Sequence, residues 1–231
     1  MLNGWLWGLR RHNMYSYVQD KDLKKYMISE GSDIVNRLKG KINSAGYLKV
    51  DFELVGSGLK NLITRNGNEP PDVDFNLLIF DMQEDYKESE IKEYIRKLLN
   101  KVLFEKRLGD CSDSISALTV KSVPTIYGDY FSIDIAIIYI DDDGYRYRLK
   151  HEKHGSTYTD RWYWNEGINY DEIIDKTAAI KNAGGWDDFR VRYLKRKNRY
   201  LEKQDYNHPS FVVYIEVINE VYKMYHDRGW L

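Results

Sequence analysis

Three aspartates carry the chemistry in this chain. Asp72 and Asp74 stand two apart in Asp72-Val73-Asp74-Phe75, and Asp134 is the one charge in the apolar run FSIDIAIIYI. In a strand, side chains at i and i+2 leave the same face. Asp72 and Asp74 therefore project together, while Val73, Phe75 and Leu77 take the other face. Two carboxylates on one face repel unless something positive sits between them, and a hard divalent cation with oxygen ligands meets that need. An apolar central strand should not carry an uncompensated charge. Setting the strand of Asp134 beside that of Asp72 and Asp74 would complete a three-carboxylate metal site. D-x-D and Gly-Ser-Gly turns both arise by chance, so neither decides anything alone. Their order on suitable elements is what favours a site.

The elements that must position these groups follow from hydrophobic periodicity. Asp20 to Ser44 places Leu23, Met27, Ile34, Leu38 and Ile42 on one helical stripe. Leu48 to Val55 alternates as a strand and runs into Gly56-Ser57-Gly58. Asp72 to Phe80 forms a second strand, and Tyr86 to Leu108 a long charged helix. Strands are expected over Ala117 to Val123 and Phe131 to Ile140, with a turn around Tyr127-Gly128-Asp129. Asp141 to Gly144 reads as a hairpin turn into Tyr145 to Leu149. Tyr170 to Lys181, Asp187 to Glu202 and Ser210 to His226 read as helices. The expected fold is α+β: a small mixed β-sheet core with flanking helices over residues 1–165, then a helical domain over 166–231.

The order of these features resembles the DNA polymerase β-like nucleotidyltransferases, whose signature is h-G-[GS], a short helix, D-h-[DE]-h and later h-[DE]-h. The matching residues are Gly56 and Ser57, Asp72 and Asp74, and Asp134. The resemblance implies that the Gly56-Ser57 turn holds a nucleoside triphosphate through backbone N–H groups and the serine hydroxyl, as helix N-termini hold anions. It implies that Asp72 and Asp74 bind Mg²⁺ (or Mn²⁺) on the phosphates, and that Asp134 ligates one metal and helps deprotonate an acceptor hydroxyl. The reaction would be in-line attack on the α-phosphate with pyrophosphate leaving. Fourteen residues, Gly58 to Pro71, separate Ser57 from Asp72. Arg65 to Pro71 reads as a lengthened loop within them.

A second stretch carries the resemblance toward poly(A) polymerases, oligoadenylate synthases and bacterial cyclic-oligonucleotide synthases. These share a helix of h-K-x-W type with a second basic residue, then a Ser-aromatic pair opening the next helix. Here they are Lys195 and Arg199, at i and i+4 on one helical face, then Ser210 and Phe211. The resemblance makes Lys195 and Arg199 triphosphate contacts, puts Ser210 at an N-cap, and has Phe211 or Tyr214 stack on the base. Lys197 replaces the family tryptophan. The competing explanation is a solvated basic helix face running from Arg190 to Arg199. The active site is expected in the cleft between the two domains.

Composition narrows the function. Lys+Arg, 35, nearly balance Asp+Glu, 36, so there is no whole-molecule basic field for non-specific nucleic-acid binding. A single cysteine, Cys111, excludes an internal disulfide framework and fits a reducing cytoplasm. No apolar run approaches the ~20 residues that span a bilayer, and Met1 to Leu9 lacks the charge order of a signal peptide. His151-Glu152-Lys153-His154 is one residue short of H-E-x-x-H and reads as a surface loop. Trp162, Trp164 and Trp186 read as core, and Asp81, Glu84 and Asp85 as charges beyond the strand. The expected activity is transfer of NMP from an NTP to an RNA 3′ end or another nucleotide. The alternatives are nucleotidylation of a small molecule or protein, and a non-catalytic nucleotide-sensing module.

Overall fold

The structure, a computed structural model, describes residues 14–82, 86–155, 159–167, 171–205 and 208–231. In chain order the elements are β1 (Tyr15–Tyr17), α1 (Lys21–Ala45), β2 (Leu48–Val55), α2 (Gly56–Leu59), β3 (Thr64–Asn66), β4 (Asp72–Met82) and α3 (Glu88–Glu105). There follow β5 (Ser112–Asp113), β6 (Leu118–Pro124), β7 (Tyr130–Ile140), β8 (Arg146–Glu152), β9 (Arg161–Glu166), α4 (Asp171–Asn182), α5 (Trp186–Glu202) and α6 (Ser210–Asp227). The described residues form two compact units. The larger takes residues 17–64 and 70–172, the smaller 14–16, 65–69 and 173–231.

The larger unit is built on a sheet ordered β2-β4-β7-β6-β5, with β8 paired to β7 and β9 to β8. β4 and β7 run parallel, whereas β2 joins β4 and β8 joins β7 in antiparallel register. One face is apolar. Val73, Phe75, Leu77 and Ile79 of β4, with Ile133, Ile135 and Ile137 of β7, are buried in one core with α1 and α3. Helix α1 contributes Leu23, Met27, Ile34, Leu38 and Ile42, the stripe its sequence predicts, and α3 adds Ile91, Ile95, Leu99 and Val102. Asp20 caps α1 by accepting a hydrogen bond from the Leu23 N–H at 2.9 Å. Gly31 faces the sheet so closely that a Cβ there would lie 2.7 Å from Phe75 Cε2, which explains a helix-weakening residue in mid-helix.

Several expectations change. β4 runs to Met82, so Asp81 is an exposed residue inside the strand rather than beyond it. Glu84, Asp85, Tyr170 and the stretch Met1 to Leu9 lie outside the described residues. β8 continues through Leu149 to Glu152, and His151 is 6 % exposed, not on a surface loop. The reason is alternation: Leu149 and His151 share the buried face of β8. The short strands β1, β3 and β5, and the whole of β9, were not anticipated. The Asp141 turn is as expected, with the Asp143 and Tyr145 N–H groups donating to Asp141 Oδ1.

In the smaller unit, α5 and α6 bury Phe189, Tyr193, Val213, Val217, Ile218 and Val221. Trp186 stacks on Phe189 at 4.6 Å, and in the larger unit Trp164 packs against the main core. Among the described residues no helix is long and apolar enough to cross a membrane.

Candidate active site

The parallel pairing of β4 and β7 puts Asp74 directly opposite Asp134, with Asp72 opposite Ser132. Paired residues share a face, and this is the face turned away from the main core. The three carboxylates each offer an oxygen within 4.8 Å of the others, so one ion can meet all three. Asp74 is the deepest charge. Burial first, then repulsion from Asp72 and Asp134, pushes its carboxyl up to about 7, against a pull downward from the Ser57 backbone N–H and from Arg148. Asp134 accepts a 2.5 Å hydrogen bond from the Thr119 hydroxyl on β6, which fixes the orientation of that carboxylate.

β2 delivers the turn. Val55 pairs with Asp74 at the end of the strand, and the chain leaves it through Gly56 at φ 64, a conformation that favours glycine. A Cβ on Gly56 would collide with Asp74 Oδ2, so glycine is required twice over. Among the described residues the Ser57 hydroxyl is buried with no hydrogen-bond partner, a costly state for a polar group. These observations bear on whether a divalent cation and a triphosphate fit here. The all-oxygen donor set suits Mg²⁺ or Mn²⁺, and the orphaned Ser57 hydroxyl stands beside it. The residues fit.

Sequence reasoning missed other groups on this face. Asn76, next along β4 from Asp74, donates to Glu53 Oε1 at 2.9 Å, and Arg146 donates to the same oxygen at 2.6 Å. Arg148 and Lys150 follow Arg146 at alternate positions of β8. The signal was available in the R-Y-R-L-K spacing. Thr119 had none, because only the pairing of β6 with β7 brings it to Asp134.

In the smaller unit the basic run of α5 resolves into distinct parts. Arg196 pairs with Glu216 and Glu220, and Arg192 with Glu220 at 2.6 Å. Lys197 is 8 % exposed, with its ammonium 3.9 Å from the Tyr15 ring centroid. It therefore does not belong to a solvated face. Lys195 and Arg199 are exposed, and their side chains make no hydrogen bond or ion pair with any described residue. Two expectations for α6 need correction. Pro209 occupies the N-cap with extended backbone, and Ser210 is the first helical residue rather than the cap. Tyr214 is buried at 4 %, edge-on to Phe189 and hydrogen-bonded to Thr177, so it cannot stack on a base. Phe211 is half-buried.

His151 belongs to a different group. Its Nδ1 lies 2.6 Å from Asp113 Oδ2 and its Nε2 3.0 Å from Asp160 Oδ2, while Trp162 stacks on the ring at 4.3 Å. Lys92 on α3 reaches Asp113 at 2.7 Å. Cys111 is buried, and burial pushes its thiol up to about 11, which leaves it unreactive.

No family model matches the sequence, and no curated protein matches it. Solved structures do match in fold. CdnC of E. coli MS115-1, in complex with HORMA-deltaN, superposes with a TM-score of 0.58 at 17 % identity over 94 % of this chain and 61 % of that one. The CdnE cyclic dinucleotide synthase of Elizabethkingia meningoseptica, with GTP and Apcpp, gives 0.54 at 15 % over 84 % and 68 %. Vibrio cholerae DncV in its GTP-bound form gives 0.52 at 13 % over 83 % and 50 %. The chain shares the fold of these structures. This chain spans about three fifths of the length of CdnC.

Proposed function

We propose that the chain is a metal-dependent nucleotidyltransferase that moves NMP from an NTP to a hydroxyl of a second nucleotide. One observation carries this reading: three acidic side chains from two adjacent strands converge within 4.8 Å, beside a buried Ser57 hydroxyl that has no hydrogen-bond partner among the described residues.

The roles follow from position. Asp72 and Asp74 hold Mg²⁺ or Mn²⁺, and Asp134, oriented by Thr119, completes the ligand set. Ser57 Oγ and the N–H groups of the Gly56-Ser57 turn bind triphosphate oxygens. Bound divalent metal supplies charge neutralisation at the attacking and leaving oxygens. The acceptor oxygen forms a bond to the α-phosphorus as the bond from α-phosphorus to the bridging oxygen breaks, and pyrophosphate leaves. Asp134 helps take up the hydroxyl proton. Lys195 and Arg199 contact the triphosphate, with Ser210 contributing from the first turn of α6 and Phe211 stacking on the base. Support for that pair is its lack of carboxylate partners, whereas Arg192 and Arg196 have theirs.

The test is incubation with α-labelled NTPs and Mg²⁺ or Mn²⁺, with and without RNA, beside an Asp72→Asn/Asp74→Asn control. Label should enter a short oligonucleotide without RNA present, and the control should make none. Label entering only RNA, a small molecule or protein would replace the proposed acceptor. No metal-dependent transfer to anything would overturn the enzymatic reading.

A further inference from the structure

The sheet face that bears the aspartates also bears two half-buried cations whose side chains form no ion pair with any described residue. In the antiparallel register of β7 and β8, Ile138 lies opposite Arg148 and Ile140 opposite Arg146. Ile138 and Ile140 share a face with Asp134 by simple alternation. Arg146, Arg148 and Lys150 therefore stand on the aspartate face, while Leu149 and His151 are buried on the other.

These three cations are not equivalent. Arg146 is tied to Glu53 at 2.6 Å. Arg148 and Lys150 are both half-buried, and neither side chain makes a hydrogen bond or ion pair with any described residue. Burial, followed by the like charges of Arg148 and Lys92, holds the Lys150 ammonium below its usual range, and Glu152 offsets this only in part. Half-burying two cations side by side costs solvation, which the longer-range attraction of Arg148 to Asp74 and of Lys150 to Glu152 returns only in part. An anion would return it. Arg supplies the planar fork that suits phosphate, and Lys a point charge beside it.

Position across the sheet says which anion. The strand order runs β2, β4, β7, β8, and the Gly56-Ser57 turn leaves the end of β2. From β2 to β8 is three strand spacings, about 14 Å. The metal-binding aspartates lie between, and Asp134, on β7, is the carboxylate nearest β8. The cations are thus on the far side of the carboxylates from the triphosphate turn.

We propose that Arg148 and Lys150 form a second anion subsite that takes the phosphate group of the acceptor nucleotide. This rests on the transferase reading above and deepens it: the acceptor must carry negative charge, and a cationic small molecule is disfavoured.

Calorimetric titration of the full chain with the α,β-methylene analogues of ATP and GTP, in Mg²⁺, tests it. The wild type should bind two analogue molecules. Arg148→Gln/Lys150→Gln should bind one, with at least a tenfold weakening of the other. The charge-keeping variant Arg148→Lys/Lys150→Arg should retain both, which separates lost charge from lost folding. A single site in the wild type, unchanged in the Gln variant, would overturn the subsite and leave the transferase reading standing. Loss of both molecules in the Gln variant, with the charge-keeping variant intact, would place these residues in the donor site and overturn the assignment. No binding of either analogue to the wild type would overturn both readings together.

Discussion

Two groups of buried or half-buried acids lie in the larger unit, and they differ in what surrounds them. Asp113 and Asp160 sit on either side of His151, with Lys92 against Asp113 and Trp162 stacked on the imidazole. Each acid there has a basic partner within 3.0 Å. Asp72, Asp74 and Asp134 crowd one small volume, where Asp72 and Asp134 repel the Asp74 carboxylate and Arg148 attracts it. The first group ties β5, β8 and α3 together and has no need of a ligand. The second crowds like charges together, a repulsion that protonation of Asp74 or a bound cation would relieve. Buried charge by itself does not mark a site. Like charges crowded together do.

The largest test of this contrast is Asp74→Asn. It should lower kcat by about 10³-fold, as expected when one preorganised charge-stabilising group is lost, while raising the metal-free melting temperature at pH 8. Asp74 also has a pH signature. Its carboxyl stands at about 7 in the folded chain against 3.8 ordinarily. Between those values the folded state holds a proton that the unfolded state has released. Metal-free stability should therefore fall as pH rises from about 4 to 7, and Mg²⁺ or Mn²⁺ should flatten the slope. A melting temperature indifferent to both pH and metal would erase the contrast.

Lys92→Met should do the reverse, losing about 3 kcal/mol of stability by stranding Asp113 while leaving kcat of the folded fraction intact. Urea denaturation and single-temperature kinetics read the two separately. Gly56→Ala comes next. The φ of 64 and the collision with Asp74 should lower kcat/KM about 10²-fold, with about 1–2 kcal/mol of lost stability from the left-handed backbone. Smallest are Lys195→Ala and Arg199→Ala, each expected to raise the KM for NTP about tenfold, or about 1.4 kcal/mol. Arg192→Ala should leave that KM unchanged and lower stability by less than about 1 kcal/mol, the size of an exposed ion pair. Equal effects from Arg192 and Arg199 would remove the distinction drawn between them.

Much of this was legible beforehand because it is written in local periodicity. α1, β2, β4 and β7 were found within a few residues of where their apolar patterns put them; Asp72 and Asp74 stood out by their spacing on one strand face, and Asp134 by its isolation among apolar neighbours. What failed were features that local pattern does not encode. His151 looked like a loop residue because its two carboxylate partners lie 38 and 9 positions away. Tyr214 looked available for stacking because its hydrogen bond to Thr177 joins separate helices. Arg192, Lys195, Arg196, Lys197 and Arg199 looked alike in sequence. Only the glutamates of α6 and the ring of Tyr15 distinguish them.

The sequence by itself determined the α+β layout, the single face shared by Asp72 and Asp74, and the glycine at the mouth of the turn, because strand alternation and backbone freedom are properties of neighbouring residues. The tertiary structure alone decided that Asp134 stands across from Asp74, that Thr119 orients it, and that Arg148 and Lys150 share its face without an ion pair. Those facts depend on strand order and register, which arise from burying one face of the whole sheet at once rather than from any short stretch of chain.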